Sequence, residues 1–198
     1  MSLTNEHDYE PIPGLPELLP QGEFVRWQGA PDWKDLALTG LHVRKLAIYF
    51  VVLLIARIVV QGAAGTPLGD TLASTAVLAV MAGLALGFLA LYAWMSGRTT
   101  RYTITNRRLV IRSGVTLPMT VNLPFGLVES ADLKVRKNGR GDLPVTLAQA
   151  QRPSWIVLWP HVKPWSLGRV RPMLRSVPEA QNVGELLADS LRDFHGAT

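Results

Sequence analysis

Few side chains in this chain have the types and spacing that covalent or acid–base chemistry needs. The histidines are scattered and show no metal-ligand pattern such as HExxH: His7, His42, His161 and His195. Cysteine is absent, which excludes disulfides, iron–sulfur clusters and thiolate zinc sites. There is no Gly-rich nucleotide loop, no GxSxG element and no carboxylate pair beside a histidine. We therefore expect no catalytic residue, metal or cofactor, and a protein that acts by binding.

One cation lies inside a long apolar run. Arg57 falls about three turns into Leu46–Ala64. An arginine at the centre of a membrane helix costs about 2.5–3.5 kcal/mol on insertion scales, so it needs a partner or a route to the headgroups. Two interpretations stay open. Arg57 either reaches outer headgroups or an internal hydrogen bond, or it contacts an acidic or pigment-carbonyl group of a client subunit.

Small residues recur every four positions in the second apolar run. The stripe consists of Thr75, Ala79, Gly83 and Gly87, and it contains a GxxxG motif. Small residues let helix backbones approach closely. The stripe therefore either packs the two apolar runs together or docks a partner helix or a second copy of this chain.

Basic residues are concentrated in the second half of the chain. Residues 1–40 carry a net charge of −5, whereas residues 98–198 carry +8. Near a bilayer, each such cation is attracted to anionic headgroups by about 1 kcal/mol. The candidate headgroup contacts are Arg98, Arg101, Arg107, Arg108, Lys134, Arg136 and Lys137. An acidic protein partner is the alternative, and nucleic acid is not expected because its recognition motifs are missing.

Two tryptophans are candidate anchors for a protein partner. Trp27 lies in a hydrophobic lead-in, EFVRWQGAPDW, whose glycine and proline favour a short strand or turn that docks on another surface. Trp165 stands between Pro164 and Ser166, where we expect it to be exposed.

These residues need a membrane hairpin to position them. The two apolar runs predict crossings at about 44–64 and 71–94, since some 20 apolar residues span the hydrocarbon. The loop between them carries no lysine or arginine, whereas cations flank both outer ends. The distribution predicts a two-pass inner-membrane protein with both termini cytoplasmic. We expect an acidic, Pro-rich arm and lead-in at 1–40, the hairpin at 41–97 and a basic cytoplasmic domain at 98–198.

The basic domain has the pattern of short strands followed by a helix. Strands are predicted at Arg101–Asn106, Arg108–Arg112, Met119–Leu123, Val128–Arg136, Leu143–Ala148, Trp155–Trp159 and Pro172–Ser176. A capping box at Ser176–Glu179 and an apolar stripe predict a C-terminal helix. The expected fold is an α+β membrane protein, in which a transmembrane hairpin precedes a seven-stranded pleckstrin-homology-like barrel or sandwich with a C-terminal helix.

The sequence also resembles known families. A membrane hairpin followed by YTITNRRLVIRSGV (Tyr102–Val115), with WQGAP before it, resembles bacterial membrane-anchored pleckstrin-homology-like domains. Four further stretches resemble the PuhB-type photosynthetic complex assembly proteins: Pro11–Glu23, His42–Phe50, Leu117–Leu133 and Leu158–Trp165.

The resemblance implies a role and a location. Such proteins help to assemble the bacterial photosynthetic reaction centre and its light-harvesting 1 core antenna in the cytoplasmic or intracytoplasmic membrane. The implied partners are reaction-centre and core-antenna polypeptides or other assembly factors, with anionic lipid beside them. The family offers no catalytic residue to carry over. The alternative is a membrane-anchored module that binds anionic lipid or acts structurally, without a photosynthetic client.

Overall fold

The chain forms two long apolar helices and a domain of antiparallel sheets closed by a C-terminal helix. The computed structural model describes residues 15, 17–115, 119–148, 159–164 and 170–196. The strands are β1 (Val25–Gly29), β2 (Arg101–Thr105), β3 (Arg108–Ser113), β4 (Met119–Pro124), β5 (Val128–Ala131), β6 (Lys134–Val135), β7 (Gly141–Leu147) and β8 (Met173–Val177). The helices are α1 (Trp33–Asp35), α2 (Val43–Ala63), α3 (Leu68–Thr99) and α4 (Ala180–Gly196).

The helical hairpin, α2 and α3, has the length and composition of a pair of membrane spans. The mean hydropathy is 2.2 for α2 and 2.3 for α3, and most of their side chains are exposed. At 1.5 Å per residue, α3 is about 48 Å long, well beyond the ~30 Å of a hydrocarbon core. Its last turns therefore continue past such a layer and pack on the rest of the molecule.

The first sheet begins with a strand that precedes the helical hairpin. Its order is β1-β2-β3-β4, and all neighbours are antiparallel. In the β2–β3 turn the Thr105 hydroxyl accepts hydrogen bonds from the backbone N–H groups of Arg107 and Arg108, at 3.1 and 3.0 Å. The helical hairpin is thus an insertion between the first two strands of the sheet. The lead-in, which the sequence suggested was a strand or turn, contributes β1 to a domain predicted to begin at residue 98.

The second sheet has the order β5-β7-β6, and β8 also pairs with β7. The predicted strand Val128–Arg136 is two strands, because regular pairing with β7 ends at Ala131 and resumes at Lys134. The Asn138–Gly139 turn, a residue pair typical of tight β-hairpin turns, joins β6 to β7, with Gly139 at φ 74°. Eight strands lie in the described residues, whereas seven were predicted; most of Trp155–Trp159 falls outside that part of the chain.

The C-terminal helix covers the core between the sheets. Its predicted apolar stripe is confirmed, since Ala180, Val183 and Leu187 are buried in the main cluster with side chains from both sheets. The predicted capping box is wrong. Ser176 lies in β8 with φ 52°, and its N–H donates to Asp142 Oδ1 at 2.9 Å instead of capping α4.

The segment between β1 and α2 is not one continuous helix. After α1 the chain makes a π-helical turn at Leu36–Gly40 and breaks at His42, which has φ 57°. Ala37 and Leu41 are buried against Ala93 of α3. The apolar side of this segment therefore packs on the helical hairpin.

Gly141→Ala should destabilise the domain by about 1–3 kcal/mol, because the added methyl group would overpack a closed site. A Cβ there would lie 2.7 Å from the Lys134 carbonyl oxygen and 2.5 Å from Ala180 Cβ. Gly126→Ala is the matched control, since its Cβ meets nothing nearer than 3.8 Å. Thermal unfolding of the full chain in detergent measures both, and equal melting temperatures would contradict the expectation.

Candidate functional site

The junction between the helical hairpin and the domain contains several buried polar side chains, among them Asp35, Ser96, Thr100, His161 and Arg175. Gly29 at the end of β1 pairs with Tyr102 near the start of β2. Both connections to the helical hairpin therefore leave the sheet at the same end of its strands. Only Thr100 separates α3 from β2, so the direction of the helix and that of the strand are directly linked.

The first anchor of the junction is an ion-pair network around α1. Asp35 is buried and pairs with Arg136, which also binds Asp142 through Nη1 at 2.6 Å. Asn138 donates a further hydrogen bond to Asp35 Oδ1 at 3.1 Å. Asp32, the N-cap of α1, accepts from Arg140 Nε at 2.8 Å. The β6–β7 turn is thus fastened to the segment that enters α2.

The electrostatics of this network favour its charged form. Burial by itself raises the pKa of Asp35, but hydrogen bonds from Arg136 and Asn138 outweigh it and hold that pKa below its usual value. Burial by itself lowers the pKa of Arg136, and its bonds to Asp142 and Asp35 reverse that and raise it. Asp35 therefore stabilises the fold above its unfolded pKa of about 3.9, and that contribution is lost as the pH falls below this value.

The second anchor is a fully buried histidine beneath α3. His161 Nε2 lies 3.1 Å from Thr100 Oγ1 and 3.4 Å from Ser96 Oγ, and Nδ1 lies 2.7 Å from the Tyr102 hydroxyl. That hydroxyl accepts from the Arg175 N–H at 3.1 Å. The consistent assignment has Tyr102 donate to Nδ1, which leaves Nε2 as the donor to Thr100. The loop at residues 159–164 is thereby bonded to both α3 and β2.

The histidine is neutral at physiological pH. Burial, assisted by the nearby Arg175 guanidinium, lowers the pKa of His161 to about 3. Burial also raises the pKa of Tyr102 above its usual value. Groups held this far from neutral pH are poor proton donors and acceptors there, and their geometry serves to join elements. No group of three metal-ligating side chains occurs in the described part of the chain.

The predicted headgroup residues do not lie on one face. Arg101 lies at the end of the strands next to the helical hairpin, while Arg107 and Arg108 lie at the opposite end, roughly 15 Å along the strands. Arg108 is bound to Glu23 at 2.6 Å, and Arg136 belongs to the ion-pair network. The remaining candidates are Arg98, stacked on Trp94, and the exposed Lys134 and Lys137 of the β6–β7 segment.

The small-residue stripe of α3 does not pack against α2. A Cβ built on Gly83 or Gly87 meets no atom within 4 Å, and Ala79 is exposed. The side of α3 that is shielded in the helical hairpin lies instead along Thr71, Thr75, Leu78, Ala82, Leu86 and Leu89. Of the predicted stripe, only Thr75 lies on that shielded side. The interpretation that the stripe holds the two helices together is therefore wrong.

The other predicted partner residues lie in three different settings. Arg57 is partly buried one turn before Gln61, whose Oε1 accepts from Ser74 Oγ of α3 at 3.2 Å, so Arg57 faces the helix pair. Trp27 is half-buried, packs on the core and lines a groove of about 320 Å³ between β1 and α4. Trp165 lies outside the described residues.

Sequence reasoning missed the residues that form the junction. Asp32 and Asp35 have a local signal, because an aspartate three residues before another is a frequent helix N-cap pattern. His161, Tyr102 and Arg175 have none, since their contacts join positions about 60 to 70 residues apart.

His161→Gln should lower stability at pH 7.5 by about 1–3 kcal/mol and flatten the pH dependence of unfolding. In the protein with His161 present, the unfolded state binds a proton on this side chain below about pH 6.5, whereas the folded state does so only below about pH 3. Stability therefore falls as the pH drops through this window, by at most about 1.4 kcal/mol per pH unit.

Melting temperatures of the full chain in detergent at pH 7.5 and pH 5 measure this slope. His195→Gln at the exposed end of α4 is the matched control and should keep the native slope. An unchanged slope in His161→Gln would show that other groups cause the acid sensitivity.

Comparison with known proteins agrees with the architecture. A family model described as a bacterial PH domain matches residues 46–191. An uncharacterized 23.7 kDa protein in the puhA 5′ region of Rhodobacter capsulatus is 33% identical over 192 residues, which cover 94% of this chain and 87% of the relative. No solved structure matches this chain.

The family match includes the helical hairpin but begins after β1, the strand that completes the first sheet. The expected pleckstrin-homology-like domain is confirmed, while the resemblance to photosynthetic assembly proteins has the gene location of the relative as its support. Since the family match covers well over half of the residues, this protein belongs to the bacterial PH domain family.

Proposed function

We propose that this protein is a membrane-anchored, non-enzymatic assembly factor for the photosynthetic reaction centre and its core antenna. The observation that carries the proposal is the relative from Rhodobacter capsulatus, which is named for its place in the puhA 5′ region, a photosynthesis gene region. The shared length of 192 residues includes the helical hairpin and the domain. Because the likeness extends over nearly the whole of both chains, we propose one role for the two proteins.

In the proposed arrangement, α2 and α3 cross the inner or intracytoplasmic membrane and both termini are cytoplasmic. Their lengths and mean hydropathies fit two crossings. Arg44 and Lys45 stand at the start of α2 and Arg98 at the end of α3, whereas the loop between the helices is uncharged and the first turn of α3 carries Asp70. Retention of cations on the cytoplasmic side gives this orientation.

The stripe on α3 is the proposed docking surface for client transmembrane helices. Ala79, Gly83 and Gly87 are exposed, and nothing in the described residues covers the two glycines. In a bilayer, helices associate through close packing, which exposed small residues permit. A client helix or a second copy of this chain fits such a surface, and we propose the client helix.

Arg57 is the proposed polar contact within the membrane. Its Nε is buried without a hydrogen-bond acceptor in the described residues, and so are the hydroxyl oxygens of Thr71 and Thr75. Unsatisfied donors inside hydrocarbon are costly, so a client carboxylate or carbonyl group close to the helix pair would be bound firmly. This contact would add chemical selectivity to the packing on the stripe.

The decisive measurement is the near-infrared absorption of membranes from a host strain that lacks this protein. The proposal expects reaction-centre and core-antenna bands to fall while total pigment synthesis continues. Unchanged bands would overturn it and favour an anchored lipid-binding or structural module without a photosynthetic client.

Complementing that strain with Gly83→Leu/Gly87→Leu tests the docking surface. Bulky side chains there should leave the α2–α3 contact intact and reduce recovery of the absorption bands severalfold, because a client helix can no longer approach closely. Ala85→Leu, two residues from Gly83 and so about 200° around the helix, is the matched control. Full recovery with the double variant, at native protein levels in the membrane, would rule out the stripe.

A further inference from the structure

A second cavity opens where the domain meets the start of α2. Its volume is about 440 Å³, and it lies among the π-helical turn, the β6–β7 segment, the loop at residues 159–164 and β8. The lining residues that matter are Thr39, His42, Lys134, Arg136, Lys163 and Arg175. Neither the helical hairpin nor the proposed client surface uses this space.

The lining of the cavity contains a buried cation that forms no ion pair within the described residues. Arg175 is only 7% exposed, and Nη1 donates to the Pro160 carbonyl at 2.9 Å. Its Nε has no acceptor, and no carboxylate forms an ion pair with Arg175 in the described part of the chain. Burial without a paired anion is unfavourable for a guanidinium that stays charged. The site is therefore electrostatically incomplete.

The charges around the cavity leave it positive. Four cations line it against two acids, Asp132 and Asp142, and one of the four cations, Arg136, is shared between Asp142 and Asp35. Asp142 is held by Arg136 at 2.6 Å, and Asp132 lies 3.6 Å from Arg171. A ligand with a compact negative charge would complete the set, since guanidinium and ammonium groups bind phosphate oxygens strongly.

We propose that this cavity binds a phosphate group, and that the group belongs to an anionic phospholipid of the surrounding bilayer. The lining includes His42, the residue immediately before α2, and Arg44 and Lys45 lie in the first turn of that helix. In the proposed membrane arrangement this level is that of the headgroups. The inference rests on that arrangement and not on a photosynthetic client.

The site differs from the headgroup surface expected from the sequence. It uses two of those residues, Lys134 and Arg136, and adds Lys163 and Arg175, which lie 27 or more positions farther along the chain. Arg107 and Arg108, at the far end of the strands of the first sheet, do not line the cavity. The bound lipid would act as a structural ligand that fixes the domain against the bilayer.

Lys134→Glu and Lys137→Glu give a matched test. Both residues are exposed, lie three positions apart in the same segment and change the net charge equally, but only Lys134 lines the cavity. The full chain in neutral detergent is titrated with short-chain phosphatidylglycerol and, separately, with phosphatidylcholine. Affinity is measured by calorimetry and by the rise in melting temperature on binding.

The expected result is binding of phosphatidylglycerol that weakens about tenfold in Lys134→Glu and stays native in Lys137→Glu, with no comparable binding of phosphatidylcholine. Equal weakening in the two variants would overturn the proposal, because it would show diffuse surface attraction. Inorganic phosphate is the third probe. If it binds as tightly as phosphatidylglycerol and the lipid does not displace it, the bilayer is not the source of the ligand. Loss of lipid binding in Lys134→Glu with normal absorption bands in the host would separate this inference from the proposed function.

Discussion

The pairing of β1 with β2 is the constraint on which the rest of this molecule depends. The two strands flank the helical hairpin in the chain, so their register brings the two ends of the hairpin to the same end of one sheet. With a single residue between α3 and β2, the long helix continues the direction of the domain. The side-chain bond from Gln28 to Thr103 joins positions 75 residues apart, which shows how much chain this pairing closes. The domain and the helical hairpin are one mechanical unit.

Buried polar groups have two distinct roles around this unit. Where a buried group has its hydrogen bonds filled, as the His161 ring and the Asp35 carboxylate have, the network rigidifies the joint and specifies one arrangement. Where a buried donor lacks a partner, as at Arg57 and Arg175, the structure is incomplete by itself. The proposed binding sites fall at these incomplete positions, one within the helical hairpin and one at its base. Stability and recognition thus use the same kinds of side chain, distinguished by whether their bonds are satisfied.

Much of the fold follows from local sequence, whereas its junctions do not. Run length and composition identify both long helices, and β-branched residues together with the Asn138–Gly139 turn identify most of the strands. The pairing of β1 and the bonds of His161 join distant positions, for which periodicity contains no information. The sequence also left undetermined whether the stripe of α3 is exposed, because spacing fixes which residues share a helix face but not which face meets α2. Similarly, Arg101 and Arg107 are close in sequence but lie at opposite ends of β2.

The insertion of the helical hairpin within a β-hairpin has a consequence for how the chain is made. During translation β1 leaves the ribosome about 70 residues before β2, so the first sheet stays incomplete until both helices have been synthesised. In the proposed arrangement, β1 and β2 can pair only if α3 returns the chain to the side of the membrane on which β1 lies. A misinserted chain would leave β2 without its neighbour and the domain open to proteolysis. In that arrangement, folding of the domain depends on correct insertion of both helices.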